Sequence, residues 1–360
     1  SYAIAPSPDF HKSIEWFNKA IDLLTTMKEE ESVELLVKYI GNVGMAYYYL
    51  DDYKAATKAY NKGIDLLKQL SKTDPATTGM MQYRLGSIES KKGNERGALI
   101  DYQKAIEAFK TVNAGINPML ANLYYSAANS FLSLGDFEKA LTYAEQSMSI
   151  HNKLLGTSSL EYIYSLSTKA EALYELGRET EAIFTDSTIV TLYEQMGTDF
   201  AYYKIRHEAE FANKLSEIKD DPSIAITGLE KAIRQLKIRT EPHQEELARF
   251  TMLLGNAYQK NNQHQLAEAQ LLKSIERHKA IYDTTSAELF LPYRNLASAY
   301  QKEKKYDDAL KYYQLAESVV GLDAETKASQ LAYPFFVASQ LGEKGQLFEQ
   351  RYFEEHNTPD

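Results

Sequence analysis

Residues Leu123 to Met148 read LYYSAANSFLSLGDFEKALTYAEQSM, and residues Met81 to Ile106, 42 positions earlier, read MQYRLGSIESKKGNERGALIDYQKAI. Both stretches place apolar residues three or four apart on either side of a short break that contains glycine. That spacing puts apolar side chains on one face of a helix, and glycine permits the left-handed backbone that ends a helix. Each stretch therefore predicts two helices joined by a tight turn.

The pattern returns along nearly the whole chain at a fixed interval. Two series of small residues mark it, and within each series successive members are 42 residues apart, with one exception of 43. One inserted residue near Asp220-Asp221-Pro222 explains both exceptions. One small residue marks each first helix and a second follows twelve positions later, giving Gly44, Gly86, Ala128, Ala170, Ala212, Gly255 and Ala297, then Ala56, Ala98, Ala140, Ala182, Ala225, Ala267 and Ala309. Seven such helix pairs would bury their apolar faces by stacking on one another.

The expected turns share a short polar break, and small residues are expected where two helices cross closely. Aromatic residues such as Tyr53, Phe137 and Tyr306 open the second helix and are expected to fill the gap between neighbours. Repeat five lacks the glycine and carries the insertion, so its turn is the least certain from sequence. The breaks are LDDY at 50–53, KGNE at 92–95, LGDF at 134–137, LGRE at 176–179, NNQH at 261–264 and EKKY at 303–306.

This series of small, aromatic, glycine, aromatic and alanine positions resembles the tetratricopeptide repeat over roughly residues 10 to 345. The family repeat has about 34 residues, and longer repeats of 42 resemble those of kinesin light chains. The resemblance implies an all-α, right-handed superhelical solenoid of stacked antiparallel helix pairs. Repeat one supplies Gly44, Tyr47, Asp51, Tyr53, Ala56, Tyr60 and Gly63, and repeat seven supplies Ala297, Tyr300, Lys304, Tyr306, Ala309, Tyr313 and Ala316.

The expected organisation has four parts. Residues 1–9 form a flexible segment, and residues 10–326 form the solenoid, which starts with a lone second-type helix over Phe10–Met27. Residues 327–356 are expected to be degenerate capping helices, and residues 357–360 a tail. The chain begins at Ser1 rather than Met, so we expect it to be a processed or shortened part of a longer polypeptide.

Composition limits the classes of function. Hydrophobic residues make up 44% of the 360 residues, which is enough for a large core. The formal charge of −10 argues against nucleic acid as a partner, and no apolar run reaches membrane-spanning length. The absence of cysteine excludes disulfides, thiolate metal sites and cysteine nucleophiles. We expect a soluble protein and leave a cytoplasmic or a periplasmic location open.

Catalytic signatures are missing from the sequence. It contains no HExxH, no phosphate-binding GxxxxGKS, no GxSxG and no Rossmann glycine set. His264 and His278 are too far apart to form a metal pair on one helix face. We therefore expect neither an enzyme nor a cofactor or metal site. An enzyme with a groove of carboxylates is the remaining alternative in that class.

The resemblance also implies a binding surface, because the first helices of tetratricopeptide folds line a concave groove. With the small residue counted as position eight, groove side chains come from positions two, five, six, nine, twelve and thirteen, here called the groove columns. The candidate binding residues in these columns are Tyr83, Arg84, Tyr125, Asn129, Tyr164, Tyr174, Arg206, Asn213, Arg249, Asn256, Arg294 and Asn295.

Each residue type in these columns suits a different part of a bound peptide. An asparagine side chain both donates and accepts, so it can pair with a peptide backbone. Tyrosine offers a large contact area, and arginine holds carboxylates with paired N–H groups. The alternative for the asparagines is a bond to the neighbouring repeat that stiffens the stack. For most tyrosines the alternative is packing between repeats, and for isolated arginines it is exposure on the solvated surface.

The sequence thus favours a non-catalytic protein–protein interaction module that binds an extended peptide or partner segment in the concave groove. The partner would be another protein or a further domain of the same polypeptide. One alternative is a regulatory sensor lobe of a larger signalling protein, with a kinase, protease or DNA-binding effector that peptide binding switches. Another is a structural scaffold that uses its convex face.

Overall fold

A computed structural model describes residues 9–27, 30–68, 75–239, 243–321 and 334–356. Within these ranges the chain forms sixteen α-helices, three short 3₁₀ helices and no β-strand. The all-α class and the stacked helix pairs expected from the sequence are confirmed. The expected flexible segment before Asp9, residues 327–333 of the expected cap, and the tail 357–360 lie outside the described residues.

The chain divides into two compact units, Ser1–Gln195 and Met196–Asp360, here called the N-terminal and the C-terminal unit. In the N-terminal unit, every helix packs against the next helix in the sequence. Its helices are α1 (Phe10–Leu24), α2 (Glu30–Tyr49), α3 (Tyr53–Leu67), α4 (Pro75–Lys91), α5 (Glu95–Lys110), α6 (Pro118–Ser133), α7 (Phe137–Leu155), α8 (Leu160–Glu175) and α9 (Glu179–Gln195).

The C-terminal unit continues with three helix pairs and one further helix. The pairs are α10 with α11, α12 with α13, and α14 with α15, and α16 packs on α14 and α15. Their bounds are α10 (Ala201–Lys219), α11 (Pro222–Lys237), α12 (Gln244–Lys260), α13 (His264–Ile281), α14 (Phe290–Lys302), α15 (Tyr306–Val319) and α16 (Pro334–His356).

All seven turns between the helices of a pair use one residue with left-handed backbone. The N–H of the following residue then donates to the carbonyl five positions back, as from Asn94 to Glu89 at 2.9 Å and from Asp221 to Ser216 at 3.0 Å. This bond satisfies a carbonyl that the ending helix leaves without a partner. The left-handed residues are Asp51, Gly93, Gly135, Gly177, Asp220, Asn262 and Lys304.

Repeat five forms the same turn although its sequence lacks glycine. Asp220 takes the left-handed conformation, with φ of 49°, and Asp221 caps α11 by accepting from the backbone N–H of Ser223. In the other repeats the left-handed residue lies seven positions after the small residue, but Asp220 lies eight after Ala212. The inserted residue therefore belongs to the last turns of α10, and the turn itself is unchanged.

Small residues stand where the two helices of a pair touch. A Cβ atom on Gly86 would come within 2.6 Å of the Tyr102 ring and 3.0 Å of the backbone oxygen of Ala98. Ala98, Ala140 and Ala182 are completely buried. The apolar cores of the two units are built from these crossings, and each repeat contributes one layer.

The two end helices pack on their neighbours through different contacts. In the N-terminal unit, Ile21 of α1 is buried with Leu36 and Ile40 of α2. In the C-terminal unit, Leu347 of α16 is fully buried in the core of the last pair, and Lys344 forms an ion pair with Glu317 at 2.9 Å. The described part of the expected cap is thus a single helix, and its role as a cap stays a prediction.

Candidate functional site

In the C-terminal unit, charged side chains join the groove columns of α10 and α12. Glu210 of α10 accepts from Arg249 of α12 at 2.6 Å and from Arg206, one turn earlier on α10, at 3.2 Å. Further along the same faces, Lys260 and Glu217 form a second ion pair at 3.3 Å. The structure therefore brings the predicted residues Arg206 and Arg249 together on one shared carboxylate.

Asn213 and Asn256 lie between these two ion pairs. Glu210, Asn213 and Glu217 are spaced by three and four residues on α10, so they share one face. Asn256 occupies the equivalent position on α12, and both asparagines are half-buried. Neither side-chain amide has a hydrogen-bond partner among the described residues.

Gln259 is a groove-column residue that the sequence did not single out. It lies one turn after Asn256 and is only 8% exposed. Neither its side-chain oxygen nor its nitrogen has a partner within the described ranges. A buried amide without partners is costly, and because both of its polar atoms are closed to solvent, Gln259 lies beneath this surface. The sequence could have identified Gln259 as a groove-column residue, because it occupies position twelve of repeat six.

On α14, the two predicted residues Arg294 and Asn295 differ in their contacts. Arg294 pairs with Glu343 of α16, and Glu343 also accepts from the Tyr313 hydroxyl at 3.1 Å. This arginine is therefore engaged by the last helix. Asn295 is half-buried, with no side-chain hydrogen bond to another described residue.

Asn129 in the N-terminal unit has partners. Its amide nitrogen donates to the carbonyl of Tyr125 at 3.0 Å, and its oxygen accepts from the hydroxyl of Thr168 on α8 at 3.3 Å. Thr168 also donates to the carbonyl of Tyr164. These bonds link two successive first helices, which is the stack-stiffening role considered from the sequence.

Three predicted tyrosines of α6 and α8 have different environments. Tyr125 is half-buried, and Tyr164 is 40% exposed. The hydroxyl of Tyr174 donates to the buried carboxylate of Asp186 at 2.6 Å. Burial and this bond raise the pKa of Tyr174 well above its ordinary value. The hydroxyl of Tyr174 thus serves its own helix pair.

Arg84 lines a cavity of ≈ 690 Å³ between α2 and α4. Tyr83, the preceding residue, is not among the residues that line it. The Arg84 guanidinium stands over the rings of Tyr83, at 5.7 Å, and Tyr48, at 5.9 Å. The ring of Tyr83 in turn packs on Tyr102. The cavity is lined from the groove columns of repeats one and two by Lys38, Gly41, Asn42, Met45, Met80 and Arg84.

The predicted residues therefore fall into separate groups within each unit. Arg206, Arg249, Asn213 and Asn256 share one surface of α10 and α12. Across the described ranges, no group of three or more histidine, aspartate or glutamate side chains is arranged to hold a metal ion. No helix in those ranges is both long and apolar enough to cross a membrane.

The fold and the recurring turn define a helical repeat protein built of stacked helix pairs. The sequence profile of the tetratricopeptide repeat matches residues 77–150, 119–195 and 246–319, and a second profile of that repeat matches residues 37–66. The chain belongs to the tetratricopeptide repeat family. Membership places it among repeats that generally act as non-catalytic protein-interaction modules.

Two curated relatives match parts of the chain. An RxLR effector protein of Phytophthora infestans is 25% identical over 178 residues, which are 46% of this chain and 51% of the relative. A clustered mitochondria protein homolog of Neosartorya fischeri is 23% identical over 138 residues, 38% of this chain and 10% of the relative. The chain thus spans about half of one relative and a tenth of the other.

Three solved structures share the fold. Aspartyl phosphate phosphatase F from Bacillus subtilis is 14% identical, with 89% of this chain and 86% of that chain covered and a TM-score of 0.57. A Rap protein complexed with competence and sporulation factor is 14% identical, covering 96% and 99%, with a TM-score of 0.55. A signal transduction ATPase from Pyrococcus horikoshii with a tetratricopeptide repeat sensor is 13% identical, covering 98% and 55%, with a TM-score of 0.51.

Proposed function

We propose that this chain is a non-catalytic interaction module that binds an extended segment of a partner protein along the groove columns of α10, α12 and α14. The observation that carries the proposal is the pair Asn213 and Asn256. Their amides sit half-buried on adjacent helices, and neither has a partner among the described residues.

Unpartnered amides at this place suit a peptide backbone. Each carboxamide offers two donors and one acceptor oxygen, and can pair with both polar groups of one peptide unit. An extended segment leaves its backbone groups accessible, so two amides on successive helices can hold it at two points.

The charges around the asparagines favour an acidic residue in the bound segment. Arg206 and Arg249 both contact the carboxylate of Glu210 and remain partly exposed, so their other N–H groups are open to a carboxylate of the bound segment. Charge-assisted pairs between arginine and a carboxylate are among the stronger polar contacts. The Rap protein that shares this fold was solved in complex with competence and sporulation factor, which supports a binding role for this fold.

The test uses peptides selected from a display library on the whole chain, with affinities then measured by fluorescence anisotropy. The double variant Asn213→Ala/Asn256→Ala should bind the selected peptides at least about tenfold more weakly, equivalent to about 1.4 kcal/mol. Asn129→Ala is the matched control, because its amide is already engaged by Thr168. Equal affinities for the parent and the double variant, with both folded by circular dichroism, would rule out this surface.

A second candidate is the sensor lobe of a larger signalling protein. It is favoured by the signal transduction ATPase from Pyrococcus horikoshii, which has a tetratricopeptide repeat sensor and matches 98% of this chain over 55% of its own chain. The partner would then be a further domain of the same polypeptide. Co-purification of this chain with the rest of its reading frame, expressed separately, tests that arrangement. No association of the two parts would contradict it.

A further inference from the structure

A small polar cavity of ≈ 180 Å³ lies in the C-terminal unit, between the second helices α11 and α13. Its floor is α12, through Thr251 and Leu254. Helix α11 supplies Glu230, Ile233, Arg234 and Lys237, and helix α13 supplies Gln270, Lys273 and Arg277. The groove-column residues Asn213 and Asn256 are not among its lining residues.

Four cationic side chains converge on this cavity. Arg234 and Lys237 are three residues apart on α11, and Lys273 and Arg277 are four apart on α13. Residues at these spacings stand on one face of a helix, so each helix presents two cations to the same space. The concentration of positive charge is local, since the whole chain carries a formal charge of −10.

Among the described residues that line the cavity, Glu230 is the one carboxylate, and it is already engaged. Glu230 accepts from the hydroxyl of Tyr258 at 2.6 Å and from Arg234 at 3.3 Å. Lys237, Lys273 and Arg277 form no ion pair with any described residue. The Nε atom of Arg277 is buried and has no hydrogen-bond partner within the described ranges.

Arg234, Lys237 and Lys273 are exposed to solvent around the cavity, whereas Arg277 is half-buried. Burial, with the nearby charges of Lys273 and Arg277, lowers the pKa of Lys237. Like charges held together repel each other, and an unpaired buried N–H group costs free energy. A bound anion would relieve the repulsion and accept from the terminal N–H groups of Arg277.

We propose that this cavity binds a phosphate group. Its volume is below the range of roughly 300–1,000 Å³ that pockets for whole small molecules occupy, so it fits one charged group. The planar donor forks of two arginines match the oxygens of a phosphate, and two lysines add point charges. The same chemistry is offered by free phosphate and by a phosphorylated side chain of a partner.

The test titrates the whole chain with inorganic phosphate, with a phosphoserine peptide and with the same peptide lacking phosphate, by isothermal calorimetry. Binding of the phosphopeptide alone identifies a phosphorylated segment as the source, and comparable binding of inorganic phosphate identifies the free ion. In both cases the affinity should fall at least about tenfold in Lys273→Gln/Arg277→Gln and weaken as salt is raised.

The control is Lys219→Gln/Lys302→Gln, which removes the same charge from the same unit at residues outside the cavity wall. It should bind like the parent. Lys237→Gln provides an independent variant on the opposite wall, should the first one be poorly folded. Absence of binding by both phosphate probes, or equal losses in the cavity variants and the control, would overturn the proposal.

Discussion

The Nδ1 atom of His278 lies 2.8 Å from the backbone oxygen of Ser274, one turn earlier on α13. The hydroxyl of Ser274 in turn donates to the carbonyl of Ala248 on α12. The N-terminal unit repeats the serine bond, because Ser147 donates to the carbonyl of Ala121. The Nδ1 atom of the buried His151, four residues later, has no hydrogen-bond partner among the described residues. Among the side chains that the structure describes, each unit thus holds one buried histidine, one turn after a serine that bonds to the preceding helix.

Both histidines should make stability depend on pH. Burial lowers the pKa of His151 and of His278 below their ordinary value, so the unfolded chain binds protons more readily than the folded chain. Stability present above pH ~6.5 should then be lost as the pH falls towards the folded pKa values. We expect a lower thermal midpoint at pH 5.5 than at pH 7.5.

The variant His151→Gln/His278→Gln isolates this effect. Its thermal midpoint should change less between the two pH values than that of the parent, whatever its absolute stability. An unchanged difference between pH 7.5 and pH 5.5 in this variant would show that other groups are responsible.

Asn129→Ala should destabilise the N-terminal unit by about 0.5–1.5 kcal/mol, the usual net value of an intramolecular hydrogen bond. The substitution removes the bond to Thr168 across the two first helices. Urea denaturation followed by circular dichroism measures the change. Asn213→Ala is the control with no such bond, and a similar loss there would mean that the two asparagines have the same structural role.

Gly177→Ala should cost about 1–2 kcal/mol, because a residue with a Cβ is strained in the left-handed region. Gly177 has φ of 71°, and a Cβ there would meet no atom within 4 Å. The cost is therefore that of the backbone alone. Gly342 lies inside α16, where a Cβ also meets nothing, so Gly342→Ala should stabilise by about 0.5–1 kcal/mol. The same sign for both changes in chemical denaturation would contradict this explanation.

Gly86→Ala should destabilise through overpacking, by about 1–3 kcal/mol. Its Cβ would stand 2.6 Å from the Tyr102 ring, which is too close for an unstrained contact. Adding Tyr102→Leu to this variant should recover part of the loss measured by urea denaturation. If the double variant shows simply additive losses, the ring is not the obstacle.

Much of the fold was predictable because its determinants are local. The left-handed turn needs one permissive residue, and glycine announces it at Gly93, Gly135 and Gly177. The turn at Lys304 was expected from the break at 303–306, whereas the turn at Asp220 was the least certain, because no glycine marks it. In both, a backbone bond to the preceding helix holds the left-handed residue.

The candidate site was only partly predictable, because the decisive contacts join distant residues. The columns could be counted from sequence, but the state of each side chain depends on a neighbour about one repeat away. Thr168 donates a hydrogen bond to Asn129. Glu210 forms ion pairs with Arg206 and Arg249, and Glu343 forms one with Arg294. The basic cavity likewise depends on α11 and α13 lying side by side, which no local pattern shows.

The inserted residue of α10 has a consequence for how such a chain tolerates changes of length. From each left-handed residue to the alanine of the second helix the distance is five residues in every repeat, from Asp51 to Ala56 as from Asp220 to Ala225. The spacing before the turn, by contrast, has already varied once. Insertions before a left-handed residue are thus absorbed as extra helix, whereas insertions after it would shift the alanine off its crossing point. The length of the first helix can therefore vary between repeats, whereas the start of the second helix is fixed relative to the turn.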